Sequence, residues 1–111
     1  MPVNSKIYAT PKWPLVKIRE CINRNKYEIS DKATICAILH FSWTDNEILR
    51  AIKALKKVHF YKSEPHRDID MQIFGIRVDY YKAINLYGRN IYTHFHIDNN
   101  GILQIESFKE I

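Results

Sequence analysis

Ile91-Tyr92-Thr93-His94-Phe95-His96-Ile97, followed by Asp98-Asn99-Asn100-Gly101, is the stretch on which the fold turns. Successive side chains of a strand point to opposite faces. Ile91, Thr93, Phe95 and Ile97 therefore share one face, and Tyr92, His94 and His96 share the other. Asn and Gly tolerate positive φ, so the Asp-Asn-Asn-Gly segment predicts a hairpin turn. Ile102 to Phe108 is then the returning strand. The same alternation extends upstream. Ile76, Val78 and Tyr80 alternate with Arg77, Asp79 and Tyr81, and Ile69, Met71 and Ile73 alternate with Asp70 and Gln72. Val58-His59-Phe60-Tyr61 is a short β-prone run. Residues 79–87 read two ways, because Tyr80, Ala83, Ile84 and Tyr87 also fit helical spacing with Gly88 as a stop.

Before Val58 the period is helical. Leu15, Ile18 and Ile22 predict a first helix from about Pro14 to Asn25. Ser30 or Asp31 caps a second, which carries Ala33, Cys36, Ala37 and His40 along one stripe. Thr44-Asp45-Asn46-Glu47 is a capping box ahead of a third helix, whose buried stripe is Ile48, Ala51, Ile52 and Leu55. Helices first and strands afterwards predict an α+β fold: a twisted, mainly antiparallel sheet with about three helices packed on it.

At 111 residues the chain fits one domain, 1–111, with residues 1–11 a loosely held lead-in. No apolar run approaches the roughly 18 residues of a membrane span, and residues 1–6 carry no signal-peptide pattern, so the expected location is the cytoplasm. Cys21 and Cys36 read as small buried hydrophobes rather than a disulfide or a zinc site. The net charge of +5 is uneven: residues 1–67 hold 13 of the 17 Lys and Arg, which points to a polyanion or an acidic protein as partner.

Tyr92, His94 and His96 form an unusual sheet face, since polar aromatics can stack on bases, donate to phosphate or pass protons. Lys62, just past the first β-prone run, and Lys109, at the end of the last strand, are placed to neutralise a phosphate from one sheet edge. With only Gly75, Gly88 and Gly101, the chain has no glycine-rich phosphate loop. His94 and His96 lack a third ligand in the sequence pattern, so neither a metal nor a cofactor is expected.

Phe60-Tyr61-Lys62-Ser63 after a helix, Asp79-Tyr80-Tyr81-Lys82, Ile91-Tyr92 opening a strand and Ser107-Phe108-Lys109-Glu110 near the end occur in one order. In that order and spacing, over about residues 13–111, the chain resembles the MqsR toxin family. The resemblance implies a RelE-like fold and a metal-independent mRNA endoribonuclease that uses the RNA 2′-hydroxyl as nucleophile. It implies a toxin of a type II toxin–antitoxin system, with mRNA as substrate and a zinc-binding, DNA-binding antitoxin as partner. The family's active lysine, tyrosine and C-terminal lysine match Lys62, Tyr92 and Lys109. The family's functional glutamine, directly before its Asp-Val-Tyr segment, is Val78 here. Gln72 lies six residues upstream and fills that role only with a register shift. Arg77 and His94 join the substrate-binding candidates on strand position alone. The alternatives are a non-catalytic basic nucleic-acid-binding module and a protein-interaction domain.

Overall fold

The computed structural model describes residues 6–111. Helix α1 spans Leu15–Asn23, strand β1 Tyr27–Ile29, α2 Asp31–Phe41 and α3 Asp45–Lys53. A 3-10 turn at Lys57–His59 leads into β2, Phe60–Pro65. Helix α4 (Ile69–Ile73) is a short turn, and β3 (Arg77–Leu86), β4 (Arg89–Ile97) and β5 (Leu103–Glu110) complete the chain. The strands form one sheet in the order β1-β5-β4-β3-β2, in which only the β1–β5 pair is parallel. The α+β architecture expected from the sequence is the one observed.

One face of the sheet is covered. Ile91 and Phe95 of β4, Tyr81 and Ala83 of β3, and Leu103, Ile105 and Phe108 of β5 pack against Ile18 and Ile22 of α1, Ala33, Ala37 and Phe41 of α2, and Ile48 and Ile52 of α3. Thr93 is buried on the same face, its hydroxyl donating to the Ser107 carbonyl at 2.7 Å. Two caps start the helices here. Ser30 Oγ accepts from Ala33 N at 3.0 Å, and the Glu47 carboxylate accepts from Thr44 N at 2.8 Å inside the expected capping box. The stripe of α2 is Ala33, Ala37 and Phe41. His40 is exposed and Cys36 only partly covered, because α2 meets the sheet one residue out of phase with the expected stripe.

Three expectations are corrected. Residues 69–73 form a helical turn, not a strand. Asp68 caps it by accepting from Asp70 N at 2.9 Å, so the chain turns locally before β3 begins. Of Val58-His59-Phe60-Tyr61, only Phe60 and Tyr61 are strand. The lead-in is pinned from Tyr8 onward: Tyr8 and Ser63 exchange backbone hydrogen bonds at 2.7 and 3.2 Å, and Asp79 accepts from the amides of Lys12 and Trp13. Residues 1–5 lie outside the described residues. The choice left open at 79–87 resolves as strand, since Asp79 to Ala83 pair with β4 while Ile84 and Tyr87, which a helix would have buried, are exposed. A turn with positive φ at Tyr87 and Gly88 (51° and 75°) joins β3 to β4, as a tight hairpin requires. Strand β1 had no separate signal in the sequence.

Candidate active site

The face of the sheet turned away from the helices carries the candidate site residues. Tyr92 of β4 is paired with Lys82 of β3 and Lys109 of β5, and His94 with Tyr80 and Ser107. The polar-aromatic set is thus flanked on both sides by strands that add a tyrosine and a lysine.

Two bulges shape this face. Between Phe60 and Lys62 the register of β2 against β3 slips by one residue, with Tyr61 the extra residue. Between His94 and Phe95 the register of β4 against β5 slips likewise, since His94 meets Ser107 while Phe95 meets Ile105. Glu106 is the unpaired residue. A bulge turns consecutive side chains toward the same face, which is why Glu106 joins Ser107 and Lys109 here. The Ser30 hydroxyl, at the α2 cap, donates to the Glu106 carbonyl at 2.9 Å and fixes the bulged residue in place.

The Glu106 carboxylate is ringed by imidazoles. His66 Nε2 lies 3.0 Å from Oε2, His96 Nδ1 3.4 Å from Oε2 and His94 Nδ1 3.5 Å from Oε1. Burial alone would raise the Glu106 pKa. Contact with His94, His96 and His66 and the charge of His96 outweigh it and hold the carboxyl far below the usual range. Glu106 is therefore ionised at neutral pH.

A cavity of about 310 Å³ opens above this cluster. Tyr80, Tyr92, His94 and Glu106 line it, and Lys32, Arg67 and Lys109 supply its positive charge. Lys109 Nζ sits 5.2 Å from the Tyr92 ring centroid, and the Tyr80 and His94 rings are 4.7 Å apart. Burial, followed by the neighbouring Tyr61 and Glu64, raises the Tyr92 pKa, so its phenol remains a donor. Cations around a polar hollow favour a phosphate, and the rings offer a base something to stack on.

Of the residues singled out from the sequence, Tyr92, His94 and Lys109 come together in this cavity. Lys62 stands next to it, over the far side of Tyr80 at 4.7 Å from the ring centroid, and its ammonium contacts Glu64 at 3.3 Å. Arg77 is directed elsewhere. It donates to Ser63 Oγ at 3.1 Å and to the Thr10 carbonyl at 2.9 Å, and it covers the Tyr8 ring. Those contacts tie the lead-in to the helix-covered side. Gln72 sits on α4 and does not line the cavity, whereas Val78 does. Sequence reasoning missed Glu106, His66, Arg67, Lys32 and Tyr80. Glu106 has a weak signal, since simple alternation from Ile105 puts it on the polar face. His66 lies beyond the end of β2 and has none.

The family model for the motility quorum-sensing regulator, toxin of MqsA, matches residues 10–110. The chain belongs to the MqsR toxin family. Membership makes it the toxin of a type II toxin–antitoxin pair, and the family's description names MqsA as the counterpart. The matched span contains every element from α1 to β5 and the whole cavity of this MqsR-family chain. No curated protein matches the chain. Among the described residues, no helix is long and apolar enough to cross a membrane.

Proposed function

We propose that this MqsR-family toxin is an endoribonuclease that cuts mRNA without a metal, in the cytoplasm, until its antitoxin binds it. The observation that carries the reading is the meeting of Tyr92, Lys109, Arg67 and Lys32 in one cavity walled by aromatic rings. RNA brings its own nucleophile. The 2′-oxygen bonds to phosphorus, the bond from phosphorus to the 5′-oxygen breaks, and the products are a cyclic phosphate and a free 5′-hydroxyl. The protein has to stabilise extra negative charge on phosphorus and supply a proton to the departing oxygen. Lys109 fills both needs. The Tyr92 hydroxyl donates to a phosphate oxygen, or its ring stacks on a base. Lys62 adds charge from beyond Tyr80. The family's resemblance adds the expectation that the antitoxin is a zinc-binding, DNA-binding protein, with the metal in that partner.

The test is cleavage of mRNA by purified protein in EDTA, with the ends of the products identified. Cyclic phosphate ends are expected, together with growth arrest on expression. Tyr92→Phe and Lys109→Ala should each lower the rate while leaving the fold intact. RNA that is bound but left whole would make the chain a basic binding module instead. Neither binding nor cleavage would make it a protein-interaction domain.

A further inference from the structure

We propose that His94 is the general base of this site, accepting the 2′-hydroxyl proton at Nε2, and that Glu106 is the positioning residue that keeps Nε2 free to do so. This rests on the endoribonuclease reading above and extends it to residues for which the family resemblance supplies no role.

The argument starts with tautomers. A neutral imidazole has one donor and one acceptor nitrogen. His66 Nδ1 accepts from the Asp68 amide at 3.0 Å. The His66 proton is therefore on Nε2, which points at Glu106 Oε2 from 3.0 Å. That ring is a fixed donor, and the same amide opposes a second proton on it. His96 is 3% exposed and meets His66 edge to face, with centroids 4.9 Å apart. His66 is fixed as a donor and His96 is enclosed, so His94, its side chain 22% exposed at the cavity, is the ring a substrate can reach.

The orientation of His94 follows. Its Nδ1 faces the ionised Glu106 at 3.5 Å, a long contact of the kind that shortens once the ring carries charge. A carboxylate on that side places the neutral ring's proton on Nδ1 and leaves the Nε2 lone pair outward. The Tyr80 ring, at 4.7 Å, holds the imidazole plane. Tyr92 neighbours both groups, its ring centroid 5.8 Å from that of His94 and 5.2 Å from the Lys109 ammonium. In-line displacement needs a base for the attacking oxygen and an acid for the leaving one, and His94 and Lys109 both line this cavity. The 2′-proton passes to His94 Nε2 as the new phosphorus–oxygen bond forms. The 5′-oxygen leaves with a proton from Lys109, and solvent returns both groups to their starting states. Val78 occupies the position of the family's functional glutamine and offers no polar atom, so the chemistry falls to the neighbouring strand.

The competing use of the cluster is a metal. His66, His96 and Glu106 offer ligand atoms within 4.8 Å of one another. A ligating nitrogen must be unprotonated, however, and the Asp68 amide forces the proton onto the His66 nitrogen that would ligate.

The experiment compares cleavage by wild type, His94→Asn, Glu106→Gln and His66→Gln in EDTA, with ¹⁵N spectra of the histidines. His94→Asn should lower kcat about 100-fold with KM held within a few fold, and the ascending limb of the pH–rate profile should disappear. Glu106→Gln should lower kcat about tenfold, and the His94 spectrum should lose its Nδ1–H signature, which a merely structural role would not move. His66→Gln keeps a donor toward Glu106 and should lower kcat less than Glu106→Gln does, with the His94 Nδ1–H signature kept. An unchanged pH profile in His94→Asn would overturn the proposal, as would an Nε2–H tautomer of His94 in wild type. So would a zinc requirement lost in His66→Gln. A wild-type protein that cuts no RNA would sink the endoribonuclease reading itself, and the spectra would still test the geometry.

Discussion

Two carboxylates, Asp79 and Glu106, sit on opposite faces of one sheet and answer burial in opposite ways. Asp79 is fully buried and accepts from Lys12 N, Trp13 N and Ser63 Oγ at 3.0, 3.1 and 2.6 Å. Burial still raises its pKa, ahead of the lowering by those bonds and by the Arg77 charge. Glu106 is less enclosed, and its three imidazoles more than reverse the effect of burial. Amides and hydroxyls are dipoles fixed by the chain, so Asp79 is a clasp holding the lead-in to the sheet. Imidazoles change charge near neutral pH, which fits the positioning role proposed for Glu106 beside His94.

The largest effect is expected from Asp79→Ala. It strands two amides and a hydroxyl and removes the charge facing Arg77, and should cost about 3 kcal/mol of stability by denaturant titration. Glu106→Gln keeps a hydrogen-bonding amide in place and should cost less than that at pH 7 by the same titration, but it should also cost activity. Equal stability losses in the two variants would erase the distinction between clasp and site.

The second effect is on pH dependence. A carboxyl whose folded pKa is depressed stabilises the fold above its unfolded value, here near 4.5, and that stability is lost as pH falls through the folded value. The gap between wild type and Glu106→Gln should therefore narrow below pH 4.5. Asp79 has a raised folded pKa, so its contribution is greatest with the proton on and declines as pH rises through the folded value. Against Asp79→Asn, the wild-type advantage should be larger in acid. Melting curves across pH read both slopes, and slopes of the same sign would refute the contrast.

Arg77→Ala should lose roughly 1 kcal/mol, through Ser63 and the Thr10 carbonyl, with RNA cleavage per folded molecule unchanged. A tenfold fall in rate would return Arg77 to the site. Gln72→Ala should be the mildest, within about 0.5 kcal/mol and without effect on rate.

The sequence carried the sheet because its period is strict. The alternation from Ile91 to Ile97 separated core from site face, and Thr44-Asp45-Asn46-Glu47 announced α3 through local hydrogen bonding. It failed at 69–73, where a local cap at Asp68 competes with alternation. It failed for Arg77 because parity alone assigns a face and not a partner. The candidate site was half legible: Tyr92, His94 and Lys109 follow from strand position and line the cavity, while Lys62, read the same way, stands beside it.

By itself, the sequence determined the order of the elements, the two faces of β4 and the basic character of the chain. These depend on residue period and composition, which are local. Only the tertiary structure decided that Glu106 would meet three histidines, two from β4 and one from the segment after β2. A bulge is an event between two strands, a loop residue such as His66 has no period, and the direction of a carboxylate is set by what packs around it.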